Sequence, residues 1–446
     1  MSEEVLATDS LFPTQQPSGE GILPSQEIRA LAENGKICST VDIRDDQIQP
    51  SSIDLRLSHE AYRVRASFLP GKSTTLLRKA TSSGMLTNTL DISNPTLLER
   101  GVIYVIPLME SLALPSDVHG IANPKSSTGR LDIFTRLITE SGDEFERVRR
   151  GYNGKLYLEV LSQTFPIIVQ AGMTLNQLRF GRGRLEAAGD SRLRQLEEHN
   201  TLLDVNEDSG QSSIDRGLRI TVDLQGNGSG IVAYQARKTS PPIDLSKIHY
   251  YDIPDFWTPI YKNELVPFVL EPGEFYILAS KQRVRVPPDF AAEMLPYDLA
   301  TQEFRVHYAG FFDPGFGYGV QGEIPGTRAV LEVRASQMPI LLEDDQFVGR
   351  LNYYRMSKTP DKVYGGTIGS NYQQQGLALS KQFKREDQYA SGAAANAQFR
   401  TPENTASPRA RPETDDEDDG PILALAFPAT GTEHLINARS DEDDKT

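Results

Sequence analysis

The chain aligns with itself. Residues 99–124 (ERGVIYVIPLMESLALPSDVHGIANP) match residues 271–296 (EPGEFYILASKQRVRVPPDFAAEMLP) without a gap at an offset of 172, with Glu99/Glu271, Gly101/Gly273, Tyr104/Tyr276, Pro115/Pro287, Asp117/Asp289 and Pro124/Pro296 coinciding. Residues 158–178 match 331–351 at an offset of 173, pairing Leu158/Leu331, Glu159/Glu332, Val160/Val333, Pro166/Pro339, Ile167/Ile340 and Leu178/Leu351. Shared composition scatters its matches, whereas two long blocks at nearly one offset require two copies of one unit. The unit is β-rich. Short runs such as Val102-Ile103-Tyr104-Val105-Ile106 and Lys155-Leu156-Tyr157-Leu158-Glu159-Val160 alternate with Gly, Pro, Asn and Asp turns. The expected fold is mainly β, in two tandem domains.

Composition sets the boundaries. Residues 1–22 are a polar lead with Pro13 and Pro17, and residues 387–446 an acidic tail with few aromatics; both read as disordered. The copies occupy 23–185 and 241–386, joined by a polar insert, 186–240, in which Gly217–Leu224 looks like a strand. Ser25–Gly35 is expected to form a short helix: Ser25 fits the N-cap, Ile28, Leu31 and Ala32 form one stripe, and Gly35 fits the stop. The apolar island Ile422–Phe427 in the tail fits a docking peptide and a locally packed strand or helix equally well.

A net charge of −15 argues against a general nucleic-acid binder, though one local basic cluster can still hold a nucleotide-sized anion. Cys38 is the sole cysteine, which excludes an intrachain disulfide and a cysteine-rich zinc site and points to a reducing compartment. No apolar run approaches 18 residues, and the acidic start Met1-Ser2-Glu3-Glu4 is unlike a signal peptide. A soluble, cytoplasmic protein without a membrane partner is expected.

Pro124-Lys125-Ser126-Ser127-Thr128-Gly129-Arg130 is the candidate anion site. Lys125 and Arg130 can neutralise phosphate oxygens, Ser126 and Ser127 can donate hydrogen bonds, and Gly129 permits close backbone approach. By itself the run fits a solvated turn equally well. Glu159 and Glu332 lie within apolar strands, where an unpaired carboxylate has its pKa raised towards the range of a general base. Residue pattern alone favours the ordinary alternative, a strand glutamate facing solvent or paired with an arginine.

Taken in order, the motifs resemble the dCTP deaminase branch of the dUTPase-like superfamily. Ile48–Leu57 (IQPSSIDLRL) is similar to its opening motif, and Lys125–Arg130 to its phosphate motif, with Lys125 replacing the first arginine. Val306–Phe316 (VHYAGFFDPGF) looks like its substrate hairpin, bringing in Ala309 and Asp313. Leu158-Glu159-Val160 and Leu331-Glu332-Val333 match the strand of its catalytic glutamate, and Tyr372-Gln373-Gln374-Gln375-Gly376, followed by Ser380-Lys381, its C-terminal signature. The resemblance covers roughly residues 23–383. It implies distorted β-barrel or jelly-roll domains assembling as homo-oligomers, trimers in the family, with sites between subunits. It implies hydrolysis of dCTP to dUTP and ammonia, with Mg²⁺ escorting the triphosphate, no metal held by the protein, and dTTP as a feedback inhibitor. Some members go on to dUMP and pyrophosphate.

The chemistry agrees. Zinc-dependent cytosine deamination needs a Pro-Cys-x-x-Cys that this chain lacks, and a metal-free route needs a buried carboxylate to move the protons, a role Glu159 and Glu332 suit. The copies have diverged in a complementary way. Copy one keeps the phosphate motif but reads Arg149-Arg150-Gly151-Tyr152 where copy two has Asp313-Pro314-Gly315, and copy two reads Tyr297-Asp298-Leu299-Ala300-Thr301-Gln302 where the phosphate motif belongs. A composite site is therefore expected: Lys125, Ser126, Ser127 and Arg130 with Ala309, Asp313 and Glu332, Glu332 being preferred to Glu159. Tyr372 and Gln375 would close over the triphosphate or belong to a plain linker. Asp54 and Arg56 fit a structural ion pair as well as a substrate role, and His307 and Trp257 read as structural. The alternatives are a dUTP diphosphatase, a bifunctional deaminase–diphosphatase, and a catalytically silent nucleotide-binding protein.

Overall fold

The computed structural model describes residues 19–199, 202–204, 214–226, 230–263, 265, 267–295, 304–306, 310–335, 338–365 and 376–385. The lead as far as residue 18 and the tail from 386 lie outside them, as do Tyr297–Gln302 and His307.

The duplication in sequence is a duplication in strands. Ile103–Ala113, Val118–Pro124, Asn153–Ser162, Ile167–Val169 and Thr174–Arg182 correspond to Phe275–Val284, Phe290–Leu295, Thr327–Ala335, Ile340–Leu342 and Phe347–Arg355. Pairing repeats with them: Glu159 lies opposite Val105 and Glu332 opposite Ile277, while Leu178 faces Ala122 and Leu351 faces Met294. The matched tyrosines do the same work, since the Glu99 N–H donates to the Tyr104 hydroxyl and the Glu271 N–H to that of Tyr276. Alternation drives the layering; along Val118–Pro124 every second residue is buried, as a strand with one face on a core requires.

Each half carries two larger sheets. In the first half, Thr174–Arg182 lies between Gly21–Ile22 and Val118–Pro124 and also pairs with Ile53–Arg56, while Asn153–Ser162 lies between Ile103–Ala113 and Ile133–Thr139. In the second, Phe347–Arg355 lies between Leu218–Thr221 and Phe290–Leu295, and Phe275–Val284 between Ile231–Ala236 and Thr327–Ala335. Leu218–Thr221 and Ile231–Ala236 come from the stretch expected to be a connecting insert, so part of that stretch is sheet. Leu218–Thr221 falls within Gly217–Leu224, the run that looks like a strand, whereas Ile231–Ala236 is not anticipated.

The N-terminal helix spans Ser25–Glu33, with Pro24 rather than Ser25 at its N-cap. Proline cannot donate a backbone hydrogen bond, and it frees the Ser25 hydroxyl to donate to Asp361 of the second half. Ile28 and Leu31 are buried and Ala32 packs against the same core.

One apolar core crosses between the halves. Phe165 meets Phe256 and Trp257 edge-on, and Phe383, from the C-terminal segment 376–385, packs on both. Trp257 is fully buried, as expected of a packing residue. Ile243–Asp244 extends the junction by pairing in parallel with Ile167–Val169. Polar ties finish it: Arg334 is ion-paired with Asp132 and donates to Thr164 Oγ1 at 2.9 Å. Arg179 donates to Ser51 Oγ and the carbonyls of Ala292 and Phe312 while stacking over Phe311.

Candidate active site

The phosphate-like motif forms a tight turn between two first-half strands. Val118–Pro124 ends at the proline, Lys125 caps a four-residue helix, Ser126–Gly129, and the chain re-enters a strand at Ile133 through Asp132 at φ 56°. Thr128 and Gly129 N–H groups donate to the Lys125 carbonyl, which fixes the turn. Lys125 is ion-paired with Asp54 and donates to Thr174 Oγ1 at 3.1 Å.

Asp54 is therefore a member of this site, not the partner of Arg56. Arg56 instead forms a buried pair with Glu110 at 2.7 Å, reinforced by the Ser39 hydroxyl and the carbonyls of Val41 and Asp42. Burial raises the Asp54 carboxyl, and Lys125 and then Lys381 oppose the rise. Lys381, half-buried, has its ammonium pushed down by desolvation and then by repulsion from Lys125. Two lysines sharing one buried carboxylate leave a local excess of positive charge, the electrostatic requirement for an anionic ligand. A cavity of about 190 Å³ beside them is lined by Ser127, Thr174, Lys381 and Arg44.

The C-terminal segment holds the turn from above. Ser380 Oγ donates to the Ser127 carbonyl at 2.7 Å, and Arg130 Nη1 donates to the Ala378 carbonyl at 3.1 Å. The second half then supplies the titratable group: Glu332, in the strand Thr327–Ala335, presents Oε1 3.9 Å from Arg130 Nε. Only 5% of Glu332 is exposed, and burial pushes its carboxyl up to about 8 against the opposing charge of Arg130.

Glu159 is not brought here. It lies cross-strand from Arg136, which grips its Oε1 from Nε at 2.9 Å and Nη2 at 2.6 Å. That is the arginine-paired strand glutamate that residue pattern alone favours. Asp313 belongs to the hairpin of the second half. Its carboxyl accepts from Ser51 Oγ, lies 3.8 Å from Arg179 Nη2, and is raised by burial, with Arg179 opposing. Asp54 adds to the rise at Asp313, which ties the hairpin electrostatically to the Lys125 cluster. Ser126 and Ser127 stay in the short helix, with Ser127 on the cavity wall. Ala309, Tyr372 and Gln375 lie outside the described residues. Among the described residues no three or more His, Cys, Asp or Glu side chains cluster to hold a metal ion.

Sequence reasoning undervalued Asp54 and Lys381 and missed Thr174, Ser51 and Arg179. The signal for Asp54 was available in charge balance: a cation in a packed turn needs a nearby carboxylate, and Asp54 lies in the opening motif of the first copy.

Comparison with known proteins places both halves in one family. The family model for the 2'-deoxycytidine 5'-triphosphate deaminase N-terminal domain matches residues 19–184, and that for the C-terminal domain matches 189–383. The chain belongs to the dCTP deaminase family. It is 35% identical over 112 residues to a dUMP-forming dCTP deaminase of Kocuria rhizophila, covering 24% of this chain and 54% of the relative. A dCTP deaminase of Haloarcula marismortui is 27% identical over 162 residues, covering 34% and 75% respectively. The chain thus spans about half the length of the first of these relatives. The crystal structure of the 2'-deoxycytidine 5'-triphosphate deaminase from Agrobacterium tumefaciens superimposes with a TM-score of 0.71 at 45% identity, covering 76% of this chain and 99% of that one.

Proposed function

We propose that the chain is a hydrolytic dCTP deaminase whose working site is built by both halves, with Glu332 moving the protons. One observation carries the reading: Arg130 of the first half lies 3.9 Å from the buried Glu332 of the second within a single chain, and burial raises that carboxyl to about 8. Near neutral pH such a carboxyl holds a proton that it can deliver to N3 of cytosine, making C4 electrophilic. The carboxylate left behind takes a proton from water as the oxygen adds to C4. That proton passes to the amino group, the C4–N bond breaks as the remaining hydroxyl proton returns to Glu332, and ammonia and the uracil nucleotide are released. Lys125, Lys381, Ser126, Ser127 and Arg130 suit the triphosphate, and Asp313, Ala309, Tyr372 and Gln375 the sugar, base and closure of the site.

The chemistry is read as zinc-free, supported by the single cysteine, Cys38, an exposed residue that donates to the Gly35 carbonyl. Mg²⁺ travels with the triphosphate as part of the substrate, and dTTP would compete for the same cluster. Each half is read as a distorted β-barrel of the dUTPase-like kind and the chain as a homo-oligomer, three chains being the arrangement to test by native mass. Among the described residues no helix is long and apolar enough to cross a membrane, in keeping with a cytoplasmic enzyme.

Incubation with dCTP and Mg²⁺ tests the reading: ammonia release supports it, and its absence at any pH between 6 and 9 sinks it. The product defines a second reading. Several relatives are named dUMP-forming, which favours a bifunctional enzyme; dUTP as end product supports deamination alone, and dUMP with pyrophosphate the second reading.

A further inference from the structure

The first half holds a second concentration of positive charge that the composite site leaves unused. A cavity of about 610 Å³ is lined by Lys72, His119, Arg147, Arg149, Arg150 and Arg184. Asp143 and Glu144 are the acidic residues on its wall; Lys72 pairs with Asp143 at 2.9 Å and Arg184 with Glu186 at 3.0 Å, which leaves Arg147, Arg149 and Arg150 without a close carboxylate. None of these residues belongs to the cluster around Lys125, Arg130 and Glu332.

The place is informative. Arg149 and Arg150 stand where the second half carries Asp313 and Pro314, so the copy that lost its Asp-Pro-Gly gained two guanidinium groups there. Arg150 is anchored through a hydrogen bond to the Gly183 carbonyl. Arg147 reaches Glu144 only at 3.7 Å, with both side chains more than 60% exposed, a pair too loose and too wet to neutralise it. Arg149 is exposed, and its side chain has no hydrogen bond or ion pair among the described residues. His119 Nδ1 is buried without a partner on the same wall, and Arg150 and Arg147 add to the burial that holds its ring neutral. An interior polar atom without a partner is a cost to the folded chain, and three guanidinium groups without a close carboxylate give the cavity a positive field that an anion would meet.

Ile121, Val148, Leu185 and Tyr354 supply an apolar side to the cavity, and its volume falls in the range of small-molecule sites, roughly 300–1,000 Å³. We propose that this cavity is a second anion site that takes a polyphosphate chain, free or carried by a nucleoside, independently of the composite site.

Titration calorimetry of the full chain at low ionic strength, with inorganic tripolyphosphate as the probe, tests this. Two classes of binding event are expected, the one in this cavity weakening at least tenfold in the Arg147→Glu/Arg149→Glu variant. Turnover of dCTP at saturation should stay within about twofold. The single Arg149→Ala change, which removes no side-chain hydrogen bond or ion pair among the described residues, should weaken the same event about threefold to tenfold and serves if the double variant fails to fold. Tighter binding of dUTP than of tripolyphosphate in this event identifies a nucleotide as the ligand, and equal binding identifies the phosphate chain alone. A single class of event, unchanged by either variant, overturns the proposal.

Discussion

Arg130 Nε lies 3.9 Å from Glu332 Oε1, with both side chains less than a tenth exposed. At that distance the guanidinium lowers the electrostatic cost of ionising Glu332 without grasping it, so burial still wins and the carboxyl rises to about 8. The matching Glu159 is gripped by Arg136 at 2.6 Å. Two copies of one strand motif thus sit in different surroundings: one glutamate is tied into a salt bridge, the other is buried 3.9 Å from its arginine with its carboxyl raised.

That difference separates the two residues in kinetics. Glu332→Gln should lower kcat for dCTP by a factor of at least ~10²–10⁴, the range of a lost general acid–base, with nucleotide affinity within a few-fold. Glu159→Gln should leave kcat within about threefold and lower thermal stability, because it weakens the buried grip of Arg136. Steady-state kinetics and equilibrium nucleotide binding on both variants decide; equal kcat losses would reject the assignment.

Glu332 also makes stability depend on pH. Below the ordinary glutamate value of 4.5 the residue is protonated in both folded and unfolded chains and contributes nothing. Between 4.5 and about 8 the unfolded chain releases the proton while the folded chain retains it, so this group lowers stability as pH rises. Above about 8 the cost levels off, on the order of a few kcal/mol. Glu332→Gln, neutral throughout, should match the wild type near pH 5 and exceed it in Tm by several degrees near pH 8.5. Thermal melts across this range check it, and a Tm difference that stays flat with pH contradicts it.

Much of this was legible in the chain. Gap-free offsets of 172 and 173 translate into equal strand registers, because an offset preserved through alternating strands preserves which residues face inward. The complementary decay of the copies also anticipated that Arg130 and Glu332 would meet. Three-dimensional charge balance was less legible. Asp54 and Arg56, two positions apart on one strand, suggest a mutual pair, yet each is claimed by a partner far along the chain, Lys125 and Glu110. Lys381 belongs to the C-terminal signature, but its place beside Asp54 depends on the C-terminal segment folding back over Ser127, a contact that sequence spacing does not reveal.

The hairpin of the second half rests on Gly315. Its φ is 91°, and a Cβ there would come within 2.1 Å of Val363 Cγ1 and 3.1 Å of the Tyr364 backbone. Gly315→Ala should therefore strain the turn and displace Asp313, lowering the Tm by several degrees and kcat/KM for dCTP at least tenfold. Melting and kinetics on this one variant test the link; full activity with normal stability would separate Asp313 from the reaction.

The two lysines around Asp54 should respond in opposite ways. Lys125 is ion-paired with Asp54, and removing it abandons a carboxylate that is 5% exposed. Losing one partner of a buried pair typically costs about 3–5 kcal/mol, so Lys125→Met should melt well below the wild type, with Lys125→Met/Asp54→Asn recovering much of the loss. Lys381 is held below its ordinary proton affinity by burial and by Lys125 itself, so its charge is a burden on the free protein. Lys381→Met should leave the Tm of the free chain unchanged or higher, and raise KM for dCTP about tenfold with a smaller effect on kcat. Nucleotide-induced stabilisation, measured as the rise in Tm on adding saturating dUTP, should shrink in Lys381→Met even though its free form is no less stable. A Lys381→Met chain that loses stability yet binds nucleotide normally would make the lysine structural and remove it from the phosphate cluster.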